Sequence, residues 1–268
     1  DYQGEAYEKG LRQYTDFASR LENVTDLTFV PISALKGDNI VDRSENMKWY
    51  KGPPLLYHLE NVYVGSDSNH VDSRFPVQWV IRPHSDVHHD FRGFSGRVAG
   101  GVFKTGDEVT VLPSGFSTNI SKLLKGEAAL DSAYHPQSVT ILLEDEIDVS
   151  RGDMIVKPNN RPKISQDLDA FICWFSATKK MVKGGKLIFR HTTKEAQAIV
   201  SDIRYKVDVN SLRKMEDVDG FEMNDIGRVS LRISQPVFHD TYRRNRNTGS
   251  FILVDPFTNE TLAAGMLR

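Results

Sequence analysis

The strongest constraint on the fold is a long succession of short β-type runs that begins near residue 70. The runs are rich in β-branched and aromatic residues, and glycine, proline and aspartate separate one run from the next. The clearest early runs are residues 75–81, 96–99, 108–112 and 138–143. Short strands at this spacing are typical of a closed antiparallel barrel or a sandwich. We therefore predict a first β-barrel over residues 70–160.

A second group of β-type runs follows Pro162. Turn residues at Gly184-Gly185 and at 247–249 divide this group. The predicted strands cover residues 168–175, 186–191, 196–205, 226–234, 250–254 and 261–266. They predict a second, separate barrel over residues 163–268 and a chain that is mainly β.

The first 64 residues have a different pattern. Apolar side chains recur at helical spacing over residues 4–22, which predicts an amphipathic helix. The apolar run 27–32 predicts a short buried strand, and the loop 33–39 would follow its C-terminal end. The pair Pro53-Pro54 precedes a second predicted helix over 55–62. A helix followed by a buried strand is typical of an α/β domain.

Composition excludes several classes of protein. The formal net charge of −2 gives no general electrostatic footprint for nucleic acid, so we expect no nucleic-acid partner. The single cysteine excludes an intrachain disulfide and suits a reducing cytoplasm. No apolar run approaches the roughly 20 residues of a membrane-spanning helix, so no membrane partner is expected.

The order of the predicted parts resembles the second half of translation-factor GTPases such as elongation factor Tu. In these proteins a Ser-Ala-Leu loop, here Ser33-Ala34-Leu35, is followed by two barrels. Within this superfamily the chain most resembles the large, GTPase subunit of bacterial sulfate adenylyltransferase. The motifs that carry this resemblance are Arg-Phe-Pro-Val-Gln at 74–78, Asp-Phe-Arg-Gly-Phe at 90–94, Leu-Pro-Ser-Gly at 112–115, Asp-Glu-Ile-Asp-Val-Ser-Arg-Gly-Asp at 145–153, Ile-Arg-Tyr-Lys-Val-Asp-Val-Asn at 203–210 and Ala-Gly-Met at 264–266.

The resemblance implies a fold, a site and a function. Residues 1–64 would be the C-terminal part of a GTPase domain, and the backbone amide of Ala34 would contact guanine O6. Ser33 would shape that loop, and Leu35 would pack beside the base. The full protein would bind GTP and Mg²⁺ and couple GTP hydrolysis to the formation of adenylylsulfate from ATP and sulfate. Its partner would be a small catalytic ATP-binding subunit, and some members continue into an adenylylsulfate kinase.

Most of a nucleotide site is missing from the chain. A phosphate-binding loop has the pattern G-x-x-x-x-G-K-[ST], and no such string occurs. The guanine-specificity motif Asn-Lys-x-Asp is also absent. We therefore expect the chain to be part of a longer protein, to contain no catalytic residue and to be inactive alone. An alternative is a translation elongation factor fragment whose barrels bind aminoacyl-tRNA.

Two other clusters of polar residues are candidate sites. His84, His88 and His89 lie with Asp86 and Asp90 in one loop, where a transition metal could bind. Adjacent histidines diverge in extended backbone, so a solvated loop is the preferred interpretation and no metal site is predicted.

The second cluster is basic. Arg243, Arg244 and Arg246 precede the predicted turn at 247–249. Arginine pairs well with carboxylates and phosphates, so this cluster is a candidate contact for a partner protein or an anion. The alternative is an ordinary solvated turn.

Overall fold

The computed structural model describes residues 2–21, 24, 26–63, 69–83 and 91–268. The chain divides into two compact units, Asp1–Ser66 and Asp67–Arg268. Among the described residues, none of the helices has the length and apolar character needed to cross a membrane.

The first unit contains two helices and one 3₁₀ turn. Helix α1 spans Gly4–Ala18, the turn spans Glu45–Met47 and helix α2 spans Leu55–Asn61. Both helices were predicted, although α1 ends four residues before the predicted boundary at residue 22. Pro54 occupies the N-cap of α2 in an extended conformation, as expected of a residue that favours helix starts.

The predicted buried strand at residues 27–32 is wrong. The described residues of this run form no β-ladder, and the side chains of Leu27 and Ile32 are 38% and 45% exposed. The run is held by other contacts: the Tyr7 hydroxyl donates to the carbonyl of Phe29 at 3.0 Å, Asn39 donates to that of Pro31 at 2.9 Å, and the rings of Phe29 and Tyr14 lie 5.8 Å apart. A strand needs a neighbouring strand for its backbone hydrogen bonds, and no described part of this unit supplies one.

The first nine strands of the second unit build one barrel. Six of them close it in the order β4-β9-β1-β2-β8-β5, because β5 pairs back onto β4, and β6 extends the sheet beside β5. Strands β3 and β7 form a separate pair. The bounds are Arg74–Ile81 for β1, Gly93–Arg97 for β2, Val102–Lys104 for β3, Glu108–Leu112 for β4, Ser117–Lys125 for β5, Ala128–Leu130 for β6, Ser132–Tyr134 for β7, Ser138–Leu143 for β8 and Met154–Val156 for β9.

The remaining strands build a second barrel. Its order is β11-β15-β16-β10-β14-β12, closed by the pairing of β12 with β11, and β13 extends β12. The bounds are Lys163–Trp174 for β10, Lys186–His191 for β11, Lys194–Val207 for β12, Lys214–Met215 for β13, Ile226–His239 for β14, Ser250–Val254 for β15 and Thr261–Leu267 for β16. The predicted turn at 247–249 is instead part of a short helix, α3, at Arg246–Gly249, since the Asn245 side chain caps the backbone amides of Asn247 and Thr248.

Each barrel has its own apolar core, built from alternate residues of its strands. The core of the first barrel includes Phe75, Phe94, Phe103, Ile120 and Leu123. The core of the second includes Leu168, Trp174, Phe189, Phe221 and Phe251. A third, small cluster joins Phe238 of the second barrel to Leu112, Met154 and Val156 of the first. The two barrels therefore share an apolar contact as well as the polar network described below.

Candidate functional site

The Ser33-Ala34-Leu35 segment lies in a tight loop of the first unit. The Ser33 amide donates to the carbonyl of Asp38 at 3.1 Å, and the Gly37 amide donates to the carbonyl of Ser33 at 2.8 Å. The Ser33 hydroxyl also accepts from the Lys36 amide at 3.4 Å. Gly37 has a φ of +78°, a conformation that favours glycine. Ser33 thus shapes the loop through both its backbone and its side chain.

The base of the loop is fixed by a buried carboxylate and a buried amide. Asp38 accepts hydrogen bonds from the Ser44 hydroxyl, from Asn46 at 3.1 Å and from the Tyr2 hydroxyl at 2.8 Å. The Asn39 side chain accepts from the Ser44 amide at 2.8 Å. The bond from Ser44, followed by that from Tyr2, lowers the pKa of Asp38, which keeps it an anionic acceptor. Sequence reasoning missed this anchor, although Gly-Asp-Asn is a frequent turn signal.

The tip of the loop presents an exposed side chain and backbone amides that have no hydrogen-bond acceptor among the described residues. The Leu35 side chain is 96% exposed, and Ala34 is exposed as well. Within the described residues, no group accepts a hydrogen bond from the backbone amide of Ala34 or of Leu35. A free N–H donor beside an exposed apolar side chain can contact the edge and the face of a flat heterocycle. This is the chemistry expected of a guanine contact.

The basic cluster at 243–246 is more integrated than a solvated turn. Arg244 donates to both carboxylate oxygens of Asp72, from Nε at 2.7 Å and from Nη2 at 2.5 Å. Hydrogen bonding from Arg244 holds the pKa of Asp72 well below its usual range. Arg246 lies over the Tyr242 ring at 5.9 Å, and Arg243 also has an interaction within the protein. Arg244 therefore links the two barrels, whereas contact of the cluster with a partner remains a prediction.

A second connection between the barrels is fully buried. Arg74, which has no exposed surface, begins β1 and donates from Nε and Nη2 to the two carboxylate oxygens of Asp240 at 2.8 and 2.9 Å. The Thr248 hydroxyl donates to Asp240 at 2.7 Å, and His191 Nε2 lies 2.8 Å from the Thr248 carbonyl. Burial lowers the pKa of His191 to about 4, so its ring is neutral and Nε2 carries the proton.

The candidate metal loop falls outside the described residues. His84, Asp86, His88, His89 and Asp90 are all in the segment 84–90, which the structure does not describe. In the described part of the chain, no group of three or more histidine, cysteine, aspartate or glutamate side chains could hold a metal ion.

Comparison with known proteins gives a family profile that matches part of the chain and relatives that match all of it. A family profile described as "GTP-eEF1A C-terminal domain-like" matches residues 167–268. The bifunctional enzyme CysN/CysC of Rhodopirellula baltica is 48% identical over 267 residues, which cover 100% of this chain and 40% of the relative. Sulfate adenylyltransferase subunit 1 of Alteromonas mediterranea is 44% identical over 267 residues, covering 100% of this chain and 55% of the relative. The chain belongs to the family of sulfate adenylyltransferase subunit 1.

The structural comparison supports the fold. The crystal structure of sup35 complexed with GDP has a TM-score of 0.66 and 19% sequence identity, and it covers 99% of this chain and 65% of that protein. The predicted mainly β chain with elongation-factor-type barrels is confirmed. A further relative of this chain, the bifunctional enzyme CysN/CysC of Mycobacterium tuberculosis, is 46% identical over 255 residues, covering 95% of this chain and 41% of the relative. The chain thus spans about half the length, or less, of these curated relatives.

Proposed function

We propose that this chain is part of the GTP-binding regulatory subunit of a sulfate adenylyltransferase. That enzyme forms adenylylsulfate from ATP and sulfate, and the subunit couples GTP hydrolysis to the reaction. The observation that carries the proposal is the 44–48% identity to subunit 1 and CysN/CysC proteins over the whole chain. The elongation factor alternative has no comparable support.

The loop at Ser33, Ala34 and Leu35 supplies the guanine contact in this proposal. The amide of Ala34 has no acceptor among the described residues, so it is available to guanine O6, and exposed Leu35 can cover one face of the base. Adenine carries an amino group where guanine carries O6, so a donor at this point favours guanine. The phosphate groups and Mg²⁺ need residues that this chain does not contain, since it has no phosphate-binding loop.

In this proposal, the three predicted segments of the chain and their partners have separate roles. Residues 1–64 would complete the GTPase domain, and the barrels at 70–160 and 163–268 would dock the small catalytic ATP-binding subunit. Arg243 and Arg246 would be candidate contacts for an acidic surface of that partner. Because several relatives are named CysN/CysC, a fused adenylylsulfate kinase is a further proposed neighbour.

Nuclear magnetic resonance can test the loop in the chain itself. Guanosine 5′-monophosphate at millimolar concentration should shift the Ala34 amide resonance, and adenosine 5′-monophosphate should not. Leu35→Ala should weaken the guanosine response, while Leu56→Ala, at a leucine that is also exposed, should leave it unchanged. Equal responses to the two nucleotides would refute the assignment of the loop.

A binding assay separates the proposed partner from tRNA. The chain should bind the small ATP-binding subunit of a sulfate adenylyltransferase, and it should neither bind GTP tightly nor hydrolyse it alone. Salt-sensitive binding of aminoacyl-tRNA without binding of the small subunit would instead favour the elongation factor alternative.

A further inference from the structure

A cleft of about 240 Å³ lies between the two barrels and has no role in the proposed function. Its lining combines strand and turn residues of the first barrel with a hairpin turn and α3 of the second. The polar lining residues are Gln78, Arg97, Arg151, Thr192, Thr193 and Asn247. Two guanidinium groups, two hydroxyls and two amides thus surround a space that is open to solvent.

Arg151 is positioned by an irregularity in strand β1. The register of β1 against β2 shifts between Val77 and Trp79, so Gln78 lies at a bulge. The Gln78 carbonyl accepts a hydrogen bond from Arg151 Nη1 at 3.0 Å. A guanidinium group has five N–H donors. The bulge therefore places Arg151 at the cleft while most of its donors stay available.

Arg97 is positioned by a backbone carbonyl as well. Its Nε donates to the carbonyl of Pro136 at 3.1 Å, and the acceptors of Arg97 and Arg151 among the described residues are carbonyl groups, not carboxylates. His135 adjoins the cleft, since its Nε2 lies 3.0 Å from the Asn247 side chain. Burial, followed by the charge of Arg97, lowers the pKa of His135. Arg97 and Arg151 therefore place two positive charges at the cleft.

The second barrel contributes a threonine hydroxyl that has no hydrogen-bond partner among the described residues. Thr192 and Thr193 form the turn between β11 and β12, where Thr192 adopts a φ of +50°. The Oγ1 atom of Thr193 is buried and makes no hydrogen bond with the described residues. Buried hydroxyls are nearly always hydrogen-bonded, so the Oγ1 atom of Thr193 is an unsatisfied polar group beside the cleft.

The acidic residue closest in sequence to Arg151 is already engaged. Asp153 accepts from the Ser150 amide at 2.8 Å, and its charge interacts with that of Lys194 in the second barrel. Asp153 therefore has interactions of its own, and it forms no ion pair with Arg97 or Arg151 among the described residues.

We propose that this cleft binds a tetrahedral oxyanion, either free sulfate or phosphate or the phosphate group of a nucleotide. Arginine forks and hydroxyls are suited to the several acceptor oxygens of such an anion. A water molecule occupies about 30 Å³, so the cleft has room for a hydrated oxyanion or for one that carries a small substituent. Because both barrels supply donors, a bound anion would connect them.

Titration of the 268-residue chain at constant ionic strength tests the proposal. Sodium sulfate, sodium phosphate and adenosine 5′-monophosphate are added in turn, in exchange for sodium chloride, and amide resonances are recorded. We expect saturable shifts at Thr193 and Asn247 with at least one of the three. A response to the nucleotide alone would assign a phosphate ester, and a response to the inorganic ions would show that the free oxyanion suffices.

Three variants and one matched control make the result specific. Arg97→Gln and Arg151→Gln should each weaken binding about tenfold, as expected when a charged hydrogen-bond donor is lost. Thr193→Val has nearly the same shape and should weaken binding while the protein stays folded. Arg161→Gln is the control, since Arg161 also donates to a proline carbonyl, at 3.2 Å, but does not line the cleft. Linear shifts with all three anions, or equal weakening by the control, would overturn the proposal.

Discussion

The buried pair Arg74–Asp240 allows a sharp prediction about stability. Asp240→Ala removes the carboxylate that accepts from Nε and Nη2 of Arg74, a guanidinium group that has no access to water, and it also removes the partner of the Thr248 hydroxyl. The Nη1 atom of Arg74 keeps its acceptors in Ser73 and Asn160. Breaking a buried ion pair from one side destabilises a protein by about 3–5 kcal/mol, because the remaining charge stays buried and unpaired. We expect a loss toward the lower end of this range, because the Asp72 carboxylate remains 3.8 Å from Nη2 of Arg74.

Urea unfolding followed by circular dichroism measures this effect. The matched control is Asp167→Ala, which breaks the exposed pair with Arg232, whose side chains are 74% and 51% exposed, and should cost less than about 1 kcal/mol. Replacing both buried partners, Arg74→Met with Asp240→Leu, leaves no unpaired charge and should recover part of the stability. Recovery should be incomplete, because the Thr248 hydroxyl and the Asn160 carbonyl each lose a hydrogen-bond partner. A cost for Asp240→Ala as small as that of the control would refute the reasoning.

Three further predictions concern the core, a buried histidine and the loop. Leu123→Ala, at a fully buried position in the first barrel, should lower the free energy of unfolding by about 2–5 kcal/mol in urea. The pKa of His191 is about 4 in the folded state and near 6.5 in the unfolded state, so the unfolded state takes up the proton first as the pH falls. The free energy of unfolding should therefore decline by up to about 3 kcal/mol between pH 6.5 and pH 4. His191→Gln should flatten this decline. Asp38→Ala should speed hydrogen exchange of the Gly37 amide, because it removes the anchor at the base of the loop.

The sequence predicted those strands best whose ends carry clear turn signals. The bounds of β11 and β15 agree with the predicted 186–191 and 250–254. Strand β14 was predicted to end at residue 234, before Pro236, yet it continues to His239. The pairing of β14 with β10 shifts between Arg232 and Val237, so Pro236 lies where no ladder hydrogen bond is needed. A single sequence does not show which proline falls at such an irregularity.

The candidate sites also differ in how far the sequence predicts them. The Ser33–Leu35 loop could be predicted because its residues are contiguous and follow a recognisable order of parts. The contact between Arg74 and Asp240 could not, since 166 positions separate the two residues and neither belongs to a local pattern. The cleft is harder still to predict from the sequence, because it depends on a bulge at Gln78 and on the approach of two barrels.

The location of each polar group also decides how its variants can be interpreted. Arg74, Asp240 and Thr248 are buried and bonded to one another, so substitutions there change stability first and any activity only as a consequence. Leu35 is 96% exposed, so its contribution to the stability of the chain alone is small. A variant at Leu35 that loses guanine binding while keeping its unfolding free energy would therefore report on ligand contact. At the buried network of Arg74, Asp240 and Thr248, a single variant changes stability and any activity together. The double replacement of Arg74 and Asp240 is needed there to separate an effect on stability from an effect on activity.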